Sequence, residues 1–289
     1  MENIILNNGV KIPKIGFGVF RVEDGEEVVS SVKWAIESGY RHIDTAMIYK
    51  NEDGVGKAIR ESGISREEIF ITTKLWNIDQ GYESTLKAID LSLEKLGLSY
   101  VDLYLVHWPT ASADSDESGT TYLSIDKRQD TWKAMEEIYK SGKAKAIGVS
   151  NYTIKHLEEM KSYATILPMV NQFEFHPFLY QKELLEYCKE NNIVVEAHSP
   201  LAPIADPKSK EYENPNIEEI AKKYNKTRVQ VLLRWSVQHE VIPLPKSVHK
   251  ERIIENIGIF DFKLDDEDMN SLDNMNINLR VRRDPTNLA

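Results

Sequence analysis

Short runs of β-branched and aromatic residues alternate along the chain with stretches whose apolar positions recur every three to four residues, the periods of strand and helix. An opening hairpin is signalled by Ile4-Ile5-Leu6, the turn residues Asn7-Asn8-Gly9, and Val10-Lys11-Ile12. Eight strand candidates follow: Ile15–Gly18, His42–Thr45, Ile69–Lys74, Val101–His107, Ala144–Ser150, Met169–Glu174, Val194–Ser199 and Val241–Leu244. Between them, helical periodicity marks stretches such as Glu26–Ser38, Glu52–Ser62, Ser84–Leu96, Thr131–Ser141 and Leu184–Asn191. Gly39, Gly63, Gly97 and Gly142 fall just past such runs, where a left-handed C-cap is expected.

Eight strand–helix units predict an α/β fold, a (β/α)8 TIM barrel preceded by a β-hairpin. The competing architecture is a pair of Rossmann-like domains. Its one glycine-rich candidate, Gly16-Phe17-Gly18-Val19-Phe20-Arg21, lacks the third glycine at which helix and strand pack closely. Three stretches depart from the compact pattern: Thr110–Asp130, Leu201–Pro215 and the tail after Met275. Their places beyond strand ends predict extended loops on the C-terminal face of the barrel, over the substrate. No linker interrupts the 289 residues, so a single domain spanning 1–289 is expected.

Composition narrows the function classes. With 41% hydrophobic and 28% charged residues the chain is ordinary for a globular protein, and no apolar run approaches the roughly 20 residues of a membrane helix. Met1–Pro13 has neither a basic n-region nor an apolar h-region, so a cytoplasmic address is the expectation. A net charge of −10 argues against nucleic acid or an anionic membrane as partner. The cluster Arg280-Val281-Arg282-Arg283 reads as a solvated tail or a local cap. Cys188, the one cysteine, falls in a helical pattern as a small buried hydrophobe.

Four polar residues, Asp44, Tyr49, Lys74 and His107, lie at or just beyond predicted strand ends, which in a barrel open onto one face. A carbonyl accepting hydride needs a proton at its oxygen, and a phenol with an ordinary pKa near 10 donates poorly at neutral pH unless a cation lowers it. Lys74 could supply that cation, Asp44 could hold Lys74, and His107 could fix the carbonyl oxygen. A metal site at His107, His176 and His198 is the alternative, but it lacks any His-Glu-x-x-His or short-spaced Cys/His cluster, and no catalytic metal is expected. No Gly-x-Ser-x-Gly elbow supports acyl transfer. Lys246 and Arg252, near the predicted start of the last barrel helix, offer two cations suited to a phosphate. Phe20, Trp76, Trp108 and Phe175 are candidates for an apolar substrate wall.

The segment Asp44-Thr45-Ala46-Met47-Ile48-Tyr49-Lys50-Asn51-Glu52 resembles a motif of the aldo-keto reductase superfamily. The likeness continues through Thr73-Lys74-Leu75-Trp76, Leu105-Val106-His107-Trp108-Pro109, Gly148-Val149-Ser150-Asn151, Asn171-Gln172 and Pro245-Lys246-Ser247. It covers nearly the whole chain in the family's order, and is nearest to bacterial members that reduce 2-oxoaldehydes such as glyoxal and methylglyoxal, or 2,5-diketo-D-gluconate. The resemblance implies an NADPH-dependent reductase of small-molecule aldehydes and ketones, with Tyr49 as general acid, Lys74 and Asp44 as its tuning pair, and His107 as the orienting group. It aligns Lys246, Ser247 and Arg252 with residues holding the 2′-phosphate, Glu255 and Asn256 with adenine contacts, Ser150, Asn151 and Gln172 with nicotinamide carboxamide contacts, and Ser199 and Leu201 with the pyrophosphate-side loop. Single-domain members are commonly monomers, so a monomer is expected. One departure stands out: His198 occupies the place where the family usually stacks Tyr or Trp on the nicotinamide, which would make cofactor affinity pH-sensitive near an imidazole's usual pKa of about 6.5. A cofactor-sensing or scaffold protein on the same barrel, as in the potassium-channel β subunits, is the alternative from another class.

Overall fold

The computed structural model describes residues 2–110, 125–206, 208–211, 213–286 and 288. The hairpin is present as β1 (Asn3–Ile5) paired antiparallel with β2 (Lys11–Pro13), turning at Gly9 with φ 87°. Its apolar residues Leu6 and Ile12 are buried. Asn8 Nδ2 donates to Lys145 O and Asn7 Nδ2 to Asn192 O, which fastens the hairpin across the N-terminal ends of two later strands.

Eight parallel strands follow in sequence order: β3 (Phe17–Gly18), β4 (His42–Asp44), β5 (Phe70–Leu75), β6 (Leu103–Val106), β7 (Ile147–Ser150), β8 (Val170–Glu174), β9 (Val194–His198) and β10 (Val241–Pro243). The ring closes where Gly16 N donates to Pro243 O at 3.1 Å and Gly18 N to Pro245 O at 3.0 Å. A Cβ on Gly16 would meet Leu244 Cδ2 at 2.5 Å and His42 Nδ1 at 2.6 Å. These glycines therefore serve the seam between the first and last strands, and the Rossmann alternative falls.

The helices are α1 (Glu26–Glu37), α2 (Glu52–Glu61), α3 (Tyr82–Leu96), α4 (Ile125–Lys140), α5 (Ile154–Met160), α6 (Lys182–Glu190), α7 (Pro215–Tyr224), α8 (Arg228–Gln238), α9 (Lys250–Ile257) and α10 (Asp266–Asp273). Gly39, Gly63, Gly97 and Gly142 all take positive φ at or just beyond helix ends, as their placement predicts. Helix α7 starts inside what reads as a loop. Asn214 caps it by accepting from Asn216 N and Ile217 N, with Pro215 in the first turn. Likewise α4 begins at Ile125, six residues before its apolar period becomes regular, so the loop expected over Thr110–Asp130 is shorter; positions 111–124 lie outside the described residues.

Strand parity decides what reaches the site. On β4, β5, β8 and β9 one set of alternate residues is polar and hydrogen-bonded to one another: His42 and Asp44, Thr72 and Lys74, Gln172, and Glu196. The other set, including Ile43, Ile71, Phe173 and Val195, is buried in the hydrophobic core. This barrel thus carries a polar interior whose upper end becomes the site.

Helix α2 passes so close to the end of α3 that a Cβ on Gly56 would lie 2.0 Å from Leu96 O, which already accepts from Arg60 Nη1 at 2.8 Å. Backbone cannot yield as a side chain can. Gly56→Ala is expected to cost about 1–3 kcal/mol, lowering the melting temperature by roughly 2–4 °C per kcal/mol for a chain of this size. Thermal denaturation followed by circular dichroism checks this, and an unchanged midpoint would contradict the close packing.

Candidate active site

Lys74 is the centre of the arrangement. Fully buried on β5, its Nζ donates to Asp44 Oδ1 and Oδ2, each at 2.7 Å, and to Thr45 O at 2.9 Å. Burial opposes its charge, but Asp44 and then Tyr49 outweigh that and hold the ammonium above its ordinary range.

Tyr49 ends a short 3-10 turn, Met47–Tyr49, that leaves β4 and is closed by Lys50 in the left-handed region at φ 57°. The turn sets the phenol ring 5.1 Å from Lys74 Nζ. Burial raises the phenol's pKa, Lys74 lowers it and Asp44 raises it again, leaving it above the ordinary value. The net lowering expected from the sequence is therefore corrected: Lys74 acts in the predicted direction, and desolvation exceeds it.

His107 follows β6 and packs edge-on against Tyr49, ring centroids 5.8 Å apart, and against Trp76 at 5.3 Å. Burial, then Lys74 and His198, push its pKa well below the ordinary value, so the ring is neutral. A neutral imidazole can still donate one hydrogen bond to a carbonyl oxygen. Phe20, 39% exposed, lies 5.0 Å from the Tyr49 ring. Phe20, Tyr49, His107 and Trp76 thereby form a continuous aromatic wall. Trp108 is half-buried beside it, its carbonyl accepting from Gln80 Nε2 at 2.7 Å.

Phe175 does not join that wall. It is fully buried, stacked on Trp235 of α8 at 4.8 Å with a ring angle of 18°, and edge-on to Phe173 and Tyr180. Its parity is that of Phe173, on the helix side of the strand, so its assignment to the substrate is corrected to core packing.

A second network extends from the centre. Gln172 Nε2 donates to Asp44 Oδ2 at 2.9 Å and to Glu196 Oε2 at 2.8 Å, so one amide bridges two buried carboxyls. Burial and then Asp44 raise the pKa of Glu196. Asn151, in the left-handed region at φ 62°, donates from Nδ2 to His107 O at 3.0 Å and to Ser150 Oγ at 3.1 Å. His198 Nε2 sits 2.9 Å from Asn151 Oδ1, and Ser150 Oγ donates to Gln172 O at 2.8 Å. Ser199 follows at φ 52°, strained for a residue that is neither Gly nor Asn. For His198, burial outweighs the opposing pull of Glu174 and, with Arg282 and Lys74, lowers its pKa to about 3.

Alongside lies a cavity of about 500 Å³ walled by Leu201, Lys246, Ser247, Arg252, Glu255 and Asn256, together with Arg228 and His249. Six residues predicted to hold the cofactor thus meet around one space. Ser247 Oγ accepts from His249 N at 3.0 Å and caps the turn into α9. Burial lowers the Lys246 pKa, against the pull of Glu27, as expected for a cation without a close anion. A nucleotide phosphate fits this donor set.

His176 Nε2 pairs with Glu174 Oε1 at 3.1 Å, and among the described residues no group of three or more His, Cys, Asp or Glu is arranged to hold an ion. Cys188 is buried with its thiol pushed up to about 12, the inert core residue its pattern suggests.

Two functional candidates escape sequence reasoning. Glu196 could have been found from its parity with Gln172 in the run Val194-Val195-Glu196-Ala197-His198. Arg282, read as part of a solvated tail or a local cap, is held at the site: its Nε donates to Ser199 Oγ at 3.0 Å and its Cζ lies 5.2 Å from the Phe20 ring.

Comparisons with known proteins agree with this geometry. The profile described as the aldo/keto reductase family matches residues 14–277. Glyoxal reductase of Bacillus subtilis (strain 168) is 52% identical over 287 residues, covering 99% of this chain and 97% of that protein. The 9,11-endoperoxide prostaglandin H2 reductase of Trypanosoma cruzi (strain CL Brener) is 48% identical over 284 residues, covering 98% and 95%. Among solved structures, a Bombyx mori aldo-keto reductase in complex with NADP superposes with a TM-score of 0.90 at 37% identity, covering 98% of this chain and 95% of that one.

Proposed function

Because the chain belongs to the aldo/keto reductase family, we propose that it reduces small carbonyl compounds, among them 2-oxoaldehydes and aromatic or sugar-derived carbonyls, to alcohols with NADPH, and that Tyr49 donates the proton. When bound, NADPH supplies the hydride. The observation that carries the reading is the buried Lys74 ammonium, 2.7 Å from both Asp44 oxygens and 5.1 Å from the Tyr49 ring. An ammonium so placed favours negative charge on the phenol oxygen as the proton leaves. His107, kept neutral, orients the carbonyl oxygen toward that proton. The aromatic wall of Phe20, Tyr49 and Trp76 excludes water from the reacting carbonyl.

Lys246, Ser247 and Arg252 hold the 2′-phosphate, Glu255 and Asn256 the adenine, and Ser199 and Leu201 the pyrophosphate side. Ser150, Asn151 and Gln172 receive the carboxamide; the Gln172 amide nitrogen is committed to two carboxyls, which leaves its oxygen to accept. His198 packs beside the nicotinamide as a neutral ring.

Initial rates of NADPH oxidation with methylglyoxal, an aromatic aldehyde and a diketo-sugar acid test the reading. We expect turnover of at least one with NADPH and poor use of NADH. In Lys246→Ala/Arg252→Ala the KM for NADPH should rise about 10- to 100-fold, from the loss of charge-assisted hydrogen bonds, with little change for NADH. Binding of NADPH without turnover of any carbonyl would favour the sensor reading instead. The lowering of the His198 pKa to about 3 by burial supports a ring that stays neutral across the assay range, without the expected pH-sensitivity. NADPH affinity measured from pH 5.5 to 8 should show no inflection that His198→Phe removes, and such an inflection would contradict the neutral ring.

A further inference from the structure

The His107 ring is placed by its backbone more than by its own nitrogens. Among the described residues its Nδ1 has no hydrogen-bond partner, so packing on Tyr49 and Trp76 and the position of the main chain fix it. That main chain is held on both sides: His107 N donates to Leu75 O at 3.2 Å, and His107 O accepts from Asn151 Nδ2 at 3.0 Å. Asn151 is buried, and its own N donates to Gln172 O at 2.8 Å. A backbone carbonyl only accepts, so the Asn151 atom facing His107 O is the amide nitrogen and the amide oxygen points away.

That oxygen lies 2.9 Å from His198 Nε2. An amide oxygen cannot donate, so the proton of the neutral His198 ring is on Nε2 and Nδ1 carries a lone pair. The other edge of the ring agrees. Ser199 Oγ lies 3.4 Å from His198 Nδ1 and accepts from Arg282 Nε at 3.0 Å. Arginine offers no acceptor, so the serine's own proton is left for the imidazole. Arg282 is held in turn where Val281 N and Arg282 N donate to the buried Glu174 carboxylate at 2.8 and 3.0 Å. Along the run Arg282, Ser199, His198, Asn151, His107, every donor therefore points the same way, from the anchored C-terminal segment to the main chain of His107.

Both hydrogens of the Asn151 amide are engaged, by His107 O and Ser150 Oγ, and one lone pair of its oxygen by His198. One lone pair remains to meet the carboxamide of the cofactor. We propose that His198 is a positioning residue: by donating from Nε2 it locks the Asn151 amide that joins the cofactor's carboxamide to His107, and so sets the place of the imidazole that orients the carbonyl. Stacking on the nicotinamide needs only a ring face, whereas this role needs the N–H. It rests on the carbonyl-reductase reading and adds a residue to that machinery.

Nitrogen-15 NMR of the histidine rings in the wild-type enzyme with NADP reads the tautomer directly, the His198 signals being identified by their loss in His198→Phe. His198 should carry its proton on Nε2, and a proton on Nδ1 alone would overturn the role whatever the activity. Single-turnover hydride transfer from NADPH is then compared in His198→Phe, which keeps a ring face, and His198→Gln, whose Nε2 keeps a donor at similar reach, with methylglyoxal or an aromatic aldehyde, whichever wild type reduces faster. His198→Phe should slow the transfer about tenfold, the scale of one hydrogen bond whose loss leaves a buried acceptor unpaired, with the NADPH Kd within about threefold of wild type. His198→Gln should recover most of the rate while its NADPH Kd weakens, because the ring is gone. The reverse split, a wild-type rate in His198→Phe and a slow one in His198→Gln, would leave the ring with stacking alone and overturn the positioning role. Equal losses in both variants would mark a merely structural side chain and overturn it too. No turnover of either carbonyl by wild type overturns the reductase reading and this role with it, whereas a wild-type rate in His198→Phe overturns this role alone.

Discussion

Lys74→Met is expected to destabilise the protein by about 3–5 kcal/mol, the usual consequence of breaking a buried ion pair by removing one member, and to abolish turnover. Lys74 Nζ supplies three hydrogen bonds, two to Asp44 and one to Thr45 O, from a fully buried side chain. Without it, among the described residues, Asp44 keeps only the Gln172 amide, which Glu196 shares. The melting temperature should fall by on the order of 10 °C. Adding Asp44→Asn should recover much of that stability and none of the activity, because the neutral pair no longer presents a cation to Tyr49. Scanning calorimetry of wild type and the two variants separates the two effects. A wild-type midpoint for Lys74→Met would mean that the pair carries no such electrostatic weight. The sign of the pH dependence follows from the raised Lys74 pKa: its contribution is complete below the ordinary lysine value near 10.4 and is lost only as pH rises through the higher folded value.

Tyr49→Phe keeps the ring and removes the phenol proton proposed for donation. Its kcat is expected to fall about 10²- to 10⁴-fold, the usual contribution of a positioned general acid, with NADPH affinity unchanged within about twofold. The phenol's raised pKa adds a condition on wild type: Tyr49 is active in its protonated form, so it imposes no alkaline loss of kcat until above the ordinary phenol value near 10. His107, neutral because its pKa lies well below the ordinary value, imposes no acid limb near neutrality. A pH–rate profile that is flat from pH 6.5 to 9 in single turnover agrees with both placements. A fall in that window that disappears in Tyr49→Phe would contradict the burial of the phenol.

Much of this arrangement can be read before any coordinate is known, and the physical reason is parity. Asp44, Lys74 and Gln172 share the inward parity of their strands, and a closed parallel barrel must turn one set of alternate residues inward, although Thr73 and Asn171 show that the outward set is not purely apolar. The same rule applied to β8 places Phe175 with Phe173 on the helix side, so its misassignment came from neglect of parity. Gly16 and Gly18 illustrate a different limit, since two glycines one residue apart suit either a phosphate loop or a tight seam. Only the hydrogen bonds to Pro243 and Pro245 distinguish them. Arg282 was beyond reach of the sequence for a third reason. Its position depends on two backbone amides meeting the Glu174 carboxylate more than a hundred residues away, and no local period encodes that meeting. Desolvation is equally invisible: the sequence shows that Lys74 should lower the Tyr49 pKa, but only the folded environment shows burial to be the larger influence.

The central claim, direct hydride reduction of a carbonyl at the Lys74–Asp44–Tyr49 centre, is tested most directly with NADPH deuterated at C4 of the nicotinamide and methylglyoxal in ordinary water. Mass spectrometry and proton NMR of the product should find one deuterium on the carbinol carbon for wild type, and a rate of its appearance that collapses in Tyr49→Phe. Product formed without deuterium from either face of the labelled cofactor, or formed at the wild-type rate in Tyr49→Phe, would contradict the account.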